Sequence, residues 1–245
     1  MRNIIILGAT SGISQAVAKE LLADDVCFHL VARDEGKLKV VANDLVSRGC
    51  HSTKSYLIDF NAMSGHANLV DDILEGVDSI DLLFVCYGIM FSQQECETNS
   101  IKAIEQVTSN YTSAVSLLVL FSHKMLEQKN GTIAVVTSVA GDRGRKSNFI
   151  YGSAKAGLAT YLEGLRYKLH DKGINVLTIK PGFIDTPMTA EIKKGALWAS
   201  TEQAAKYIVK GIAKRKSIIY VPPFWFFIMM IIKLIPSFIF RKLNF

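Results

Sequence analysis

Seven short runs of apolar and β-branched residues punctuate the chain: Ile4–Leu7, Val26–Val31, Thr53–Ile58, Leu82–Cys86, Ile133–Thr137, Val176–Ile179 and Ile218–Val221. Between them lie longer stretches of helical character, such as Gln15–Ala23 and Ile101–Gln128. Strands separated by helices imply parallel βαβ units. The runs show no strict alternation of apolar and polar residues, the pattern of strands covered by helices on both faces. No internal repeat or low-complexity linker breaks this order before about Pro222. The pattern predicts an α/β fold: one doubly wound parallel sheet over residues 1–222, followed by a hydrophobic C-terminal segment over residues 223–245. In such a sheet a ligand is expected beyond the carboxyl ends of the strands.

Composition fits one sizeable core, with 49% hydrophobic and 20% charged residues in a chain of 245. The net charge of +6 changes the picture only through its location. Residues 203–245 hold eight Lys and Arg and no Asp or Glu, leaving 20 basic against 22 acidic residues in 1–202. A nearly neutral body argues against a general nucleic-acid surface. The basic end suits either an acidic membrane or anionic substrate, or a solvated basic helix. Cys27, Cys50, Cys86 and Cys96 form no Cys-x-x-Cys pair and no metal spacing, so reduced thiols and no metal site are expected. The opening "MRNIIILGATSG" is too short in apolar residues for a signal-peptide core and reads as a first strand.

Directly after that strand comes "GATSGIS", Gly8 to Ser14, and then a helical segment. Gly8 and Gly12 let the backbone turn tightly and approach a pyrophosphate, whose charge a helix N-terminus stabilises. The second strand ends "LVARD", with Ala32 and Arg33 where an NAD enzyme would place a carboxylate for the ribose diol. A guanidinium there suits a 2′-phosphate and favours NADPH, the alternative being a surface residue balanced by Asp34 or Glu35. Asp59, after the third strand, is a candidate acceptor for the adenine amino group or an ordinary loop cap.

The chemistry concentrates in "TSVAGDRGRKSNFIYGSAKAGL", Thr137 to Leu158. Tyr151 and Lys155, four residues apart on a helix, project from one face. An ammonium beside a phenol is expected to draw the tyrosine pKa down, making Tyr151 a general acid. Ser138, at a strand end, can hydrogen-bond a substrate carbonyl, and Asn110 can hold a water behind the lysine.

Together these residues resemble the short-chain dehydrogenases/reductases, over about residues 3–221. The resemblance implies a Rossmann-type single domain and an NADP cofactor contacted by Gly8, Thr10, Ser11, Gly12, Ile13, Arg33, Asp59, Gly88, Tyr151 and Lys155. In the "PGFIDTPM" window it adds Pro181, Gly182, Ile184 and Thr186, and it implies a catalytic set of Asn110, Ser138, Tyr151 and Lys155. It also implies a homodimer or homotetramer through the helices carrying Asn110 and Tyr151. Two positions depart from the family pattern. Its third glycine is Ser14 here, a hydroxyl expected within reach of a phosphate. Its Asn-Ala-Gly after the fourth strand reads Cys86-Tyr87-Gly88, which removes an amide that braces the central strand.

Within the family, "SVAGDRGRKSNFIYGSAKAGL" and the ending "IPSFIFRKL" are similar to members that reduce a 2-keto-pentose carried on decaprenyl phosphate to the arabinose. That likeness implies a lipid-linked sugar substrate, cell-envelope glycan synthesis and a companion flavin oxidase that supplies the ketone. Other candidates are a membrane-bound reductase of a 3-keto lipid or steroid, and a non-catalytic nucleotide-binding module. The end "YVPPFWFFIMMIIKLIPSFIFRKLNF" fits a lipid substrate. Lys233, Ser237 and Arg241 recur every four residues, so a helix would carry one polar stripe, kinked or restarted at Pro236. A span needs about 20 apolar residues. The segment is therefore expected to lie in the interface on the cytoplasmic face, with Trp225 at headgroup level and Arg241 and Lys242 on lipid phosphates. A span and a tail buried in an oligomer remain the alternatives. Residues 183–199 are expected either as a lid, with Lys193, Lys194 and Trp198 meeting the phosphate and sugar, or as an ordinary loop.

Overall fold

Every expected strand forms, within one or two residues of its sequence bounds. In the computed structural model, which describes residues 1–243, the strands are β1 (Arg2–Leu7), β2 (Val26–Ala32), β3 (Ser52–Leu57), β4 (Leu82–Val85), β5 (Thr132–Val136), β6 (Asn175–Pro181), β7 (Phe183–Ile184), β8 (Trp198–Ala199) and β9 (Ile218–Val221). Seven form one parallel sheet in the order β3-β2-β1-β4-β5-β6-β9, while β7 and β8 pair separately. The order reverses between β1 and β4, opening a crevice past their carboxyl ends.

Helices cover both faces. On one side lie α1 (Gly12–Glu20), α2 (Glu35–Ser47) and, later in the chain, α8 (Thr201–Ala213); on the other lie α3 (His66–Leu74), α6 (Ser113–Gln128) and α7 (Phe149–Leu169). Two short helices, α4 (Gln93–Thr98) and α5 (Ser100–Val107), precede α6. Ile4 and Ile6 of β1 join the core with Val17, Leu38 and Ile208, whereas Ile5 and Leu7 join the one with Ile73, Phe121 and Leu162. Each such fully buried aliphatic side chain contributes about 1.5–3 kcal/mol. The non-alternating runs thus belong to strands with a core on each face.

At the edge this rule fails. β3 (STKSYL) has a neighbour on one side only and exposes Lys54, Ser55 and Leu57, so its expected double burial is corrected to a polar edge. Charged and polar side chains there discourage pairing with a foreign strand.

The C-terminal segment also departs from expectation. After β9 come α9 (Trp225–Leu234) and α10 (Ser237–Phe240), separated by extended backbone at Ile235 and by Pro236. The break divides the expected Lys233, Ser237, Arg241 stripe between two helices. No helix among the described residues is long and apolar enough to cross a membrane. Asn244 and Phe245 of the expected segment lie outside the described residues. Trp225, expected at headgroup level, is instead 3% exposed. It packs with Val139, Met229 and Ile232, and a side chain at Gly182 would run into its indole. Arg143 donates to the carbonyls of Ile232 and Lys233 at the end of α9 and lies 3.9 Å from the Phe240 ring centroid. The opposite side of α9 and α10 stays bare: Phe227, Ile231, Leu234 and Phe238 are each at least 61% exposed.

Trp225→Ala is therefore expected to destabilise the fold by about 3 kcal/mol or more, a large-to-small loss in a packed site. Phe227→Ala on the bare side should change stability by less than about 1 kcal/mol. Denaturant midpoints of the two variants check this; equal shifts would place Trp225 outside the core.

Candidate active site

At the end of β1 the chain must turn hard beneath β4. Gly8 adopts φ +89°, its amide donates to the Val31 carbonyl at 2.9 Å, and a Cβ there would sit 2.5 Å from the Cys86 carbonyl oxygen. Only glycine satisfies both the backbone conformation and the approach. Ser11 caps α1, its hydroxyl accepting from the Ser14 amide at 3.2 Å. The next amides, of Gly12 and Ile13, stand at the open start of the helix, where no preceding turn supplies carbonyls. Ile13's side chain points into the core, so its backbone is the part that can meet a ligand. The Thr10 carbonyl is held by the Gln15 side chain at 3.0 Å. A Cβ on Gly12 would lie 3.2 Å from the Thr201 methyl and 3.9 Å from that of Thr186, so this turn faces the segment after β6. The combination is an anion cradle.

Ser14 is fully buried, 3.3 Å from the Ser11 hydroxyl, which in turn lies 3.2 Å from the Cys86 thiol. Its hydroxyl is thus turned inward, correcting the expectation that it reaches a phosphate. The two departures from the family pattern meet around one serine.

Arg33 follows β2 directly and is exposed, and among the described residues it forms no ion pair. Asp34 is occupied instead, capping α2 through the Lys37 amide at 2.9 Å and pairing with the Lys37 ammonium. Asp59 accepts from the Asn61 amide at 2.9 Å, which is the loop-cap arrangement.

The catalytic candidates converge from three elements. Ser138 follows β5 and caps a short 3-10 turn, Val139–Gly141, accepting from the Ala140 amide at 3.0 Å; its hydroxyl is near enough to the Tyr151 phenol to favour the phenolate. Tyr151 and Lys155 lie on the buried face of α7, 9% and 4% exposed. The Lys155 ammonium is 3.5 Å from the Val136 carbonyl and 5.7 Å from the Tyr151 ring centroid. Asn110 sits in a π-helical turn, Thr108–Thr112, between α5 and α6. Its Nδ2 donates to the carbonyls of Ile89 at 2.7 Å and Gln106 at 2.8 Å, while its Oδ1 is buried and, among the described residues, unpaired. That oxygen faces Gly88, and a Cβ at Gly88 would lie 3.5 Å from Lys155 Nζ. Gly88 keeps this space open.

Burial dominates the electrostatics. It pushes the Tyr151 phenol up to about 12 despite the Ser138 hydroxyl, and pulls the Lys155 ammonium down to about 8 despite Cys86. The expected lowering of Tyr151 is thus reversed: desolvation of the phenolate outweighs an ammonium nearly 6 Å from the ring.

Pro181 ends β6, the Gly182 amide donates to the Val221 carbonyl at 2.9 Å, and Ile184 is buried in β7. Thr186 is 3.2 Å from Thr189 through their hydroxyls. Part of the expected lid is therefore strand. Within it Lys194 pairs with Asp185 at 2.5 Å, and Trp198 stacks on Phe183 with centroids 5.4 Å apart. Lys193 is exposed and, among the described residues, forms no ion pair. Sequence reasoning missed the wall formed by Trp225 and Met229 and the Arg143 clamp that holds it. The run "GDRGRK" between Ser138 and Tyr151 was the available signal.

A family model described as short chain dehydrogenase matches residues 2–197. An uncharacterized oxidoreductase in the mprA 5′ region of Streptomyces coelicolor is 31% identical over 99% of this chain and 96% of its own length. An uncharacterized oxidoreductase of Mycobacterium tuberculosis is 29% identical over 98% and 96%. Among solved structures, ElxO with NADP bound superposes with a TM-score of 0.79 at 21% identity, covering 90% of this chain and 96% of that one.

Ser11→Ala should lower stability by about 1–2 kcal/mol, since it removes a helix cap and the hydrogen-bond partner shared by Ser14 and Cys86. The denaturant midpoint reads this directly; an unchanged midpoint would mean that the serine cluster contributes nothing to the turn.

Proposed function

We propose, from the premise that the chain belongs to the short-chain dehydrogenase family and is an NAD(P)-dependent oxidoreductase, that it uses NADPH to reduce a keto group on a polyprenyl-phosphate-linked pentose. The carrying observation is the meeting of Ser138, Tyr151, Lys155 and Asn110 beside the crevice where the strand order reverses. The glycine turn, the open start of α1 and the unpaired Asn110 oxygen fit a dinucleotide lying across that crevice.

When bound, the nicotinamide supplies a hydride. The chain does the rest. Ser138 holds the substrate carbonyl oxygen through its hydroxyl. Tyr151 keeps its proton throughout the neutral range, because burial holds it near 12, and passes it to that oxygen as negative charge develops. Lys155, with its pKa near 8, is largely charged at neutral pH and stabilises the phenolate left behind. Asn110, pinned by two carbonyls, presents its free oxygen to the ammonium or to a water beside it.

Two observations support the finer parts of this reading. An exposed guanidinium with no carboxylate mate among the described residues follows β2, the place where a 2′-phosphate is held in dinucleotide folds. The bare faces of α9 and α10 carry Phe227, Ile231, Leu234 and Phe238 beside exposed Arg241 and Lys242, a surface suited to the cytoplasmic face of a bilayer. The inner side of α9 walls the substrate loop, so a sugar can enter the cleft while its lipid stays in the membrane.

Oxidation of NADPH in the presence of a polyprenyl-phosphate keto-pentose tests the reaction. Turnover is expected, and Tyr151→Phe should reduce it by at least about 100-fold while NADPH still binds. A neutral steroid or 3-keto ester reduced in preference would overturn the substrate. Because the charged form of Lys155 is the working form, kcat/KM for NADPH should fall as pH rises past about 8. An alkaline limb near 10 would mean that burial does not weaken this lysine.

NADPH should also bind more tightly than NADH, and Arg33→Ala should narrow the gap by about 10-fold or more, the loss of one charge-assisted contact. Equal affinities in the unmutated protein would remove Arg33 from the cofactor site.

A further inference from the structure

The loop joining Ser138 to Tyr151 carries Arg143, Arg145 and Lys146 against one carboxylate, Asp142. Asp142 is fully engaged, pairing with Lys180 at 2.5 Å and accepting from the Tyr220 hydroxyl at 2.6 Å. Arg143 is engaged as well, on the end of α9. Lys146 is exposed. Arg145 is the exception.

Its Nε is buried without a hydrogen-bond partner among the described residues, and its Nη2 meets only the Met229 thioether, a weak acceptor, at 3.2 Å. Burial pulls its pKa below the ordinary guanidinium value, with only Asp142 pulling back; the group nevertheless stays cationic. A half-buried cation with a buried N–H that no oxygen accepts among the described residues destabilises a fold unless something else pairs with it. The rest of the loop is in deficit too. The side-chain oxygen of Asn148 is buried and, among the described residues, unpaired, 3.9 Å from where a side chain on Gly152 would begin, one residue past Tyr151.

The partner that best suits Arg145 is anionic, presents oxygens to a planar fork and sits between the substrate loop and α9. We propose that Arg145 binds the phosphate group of the substrate, with Met229 beside the fork. This rests on the lipid-phosphate reading of the same site and assigns its anion subsite. A guanidinium edge suits phosphate through two parallel hydrogen bonds. The neighbouring helix supplies apolar surface for the chain that a lipid phosphate carries and a free sugar phosphate lacks. Lys193 and Lys194, expected in this role from sequence, are both exposed, and Lys194 is already paired with Asp185.

Dodecyl phosphate below its micelle-forming concentration is the probe, with dodecanol as its uncharged counterpart, and binding to the full chain is read by calorimetry in the presence of NADPH. The unmutated protein should bind dodecyl phosphate at least about 10-fold more tightly than dodecanol, and Arg145→Gln should erase that preference without changing dodecanol affinity. Lys146→Gln should leave the preference intact. If Arg145→Gln does not fold, Arg145→Lys carries the test: it keeps the charge but loses the fork, and the preference should drop several-fold. Undiminished preference in either folded Arg145 variant, or a loss of equal size in Lys146→Gln, would overturn the assignment. Binding is read without turnover, so a protein that keeps the Arg145-dependent preference yet leaves the keto-pentose unreduced would disprove the substrate and uphold the anion site.

Discussion

An ammonium buried beside a phenol is expensive, and much of the architecture around the crevice serves to tolerate it. Lys155 is 4% exposed, and its nearest oxygen is the Val136 carbonyl at 3.5 Å. Such a charge needs dipoles rather than a full counter-ion, since a carboxylate would compete with any ligand for the same ammonium. The π-helical turn provides one. By widening the helix at Thr108–Thr112, it lets Asn110 satisfy the Gln106 carbonyl with its own amide and still present an oxygen towards Gly88 and Lys155. Gly88 must lack a side chain for that oxygen to have room. A local irregularity, an amide and a glycine thus form one device.

The C-terminal helix serves two environments at once. Its inner side, Trp225, Met229 and Ile232, completes the wall over Val139 and Gly182, and Arg143 holds its end. Its outer side remains apolar and uncovered. Periodicity cannot separate these two roles, because both demand apolar residues and the helix is greasy nearly all round. An all-apolar helix is half core and half patch here, and only the packing against Gly182 says which half is which.

The sheet was legible because parallel strands with helices on both faces need long apolar runs, and Ile4–Leu7 or Leu82–Cys86 admit little else. The Tyr151–Lys155 pair was legible because helical spacing fixes their common face. The direction of their titration was not, since it depends on how deeply α7 sinks against β5, which no spacing reports. Trp225 was misplaced for a related reason: an interfacial tryptophan and a core tryptophan share the same apolar neighbours in sequence. Asp59 and Lys194 are ambiguous as letters, and the fold gives them the Asn61 amide and the Asp185 carboxylate as partners.

The paired departures at Ser14 and Cys86 follow from the same geometry. Gly8 brings the end of β1 within 2.5 Å, by a Cβ's measure, of the Cys86 carbonyl, so whatever side chain stands at position 86 meets the first turn of α1. A serine at 14 adds a buried hydroxyl that must find a partner. The Ser11 hydroxyl takes it, and the Cys86 thiol closes the group from the strand side at 3.2 Å. Burial keeps that thiol protonated, its pKa pushed above the ordinary value, so it acts as a weak polar neighbour rather than a nucleophile. The cluster ties the cofactor-facing turn to the central strand by side chains where the family pattern uses a glycine and an amide. The turn therefore keeps its shape although two of its usual residues are gone.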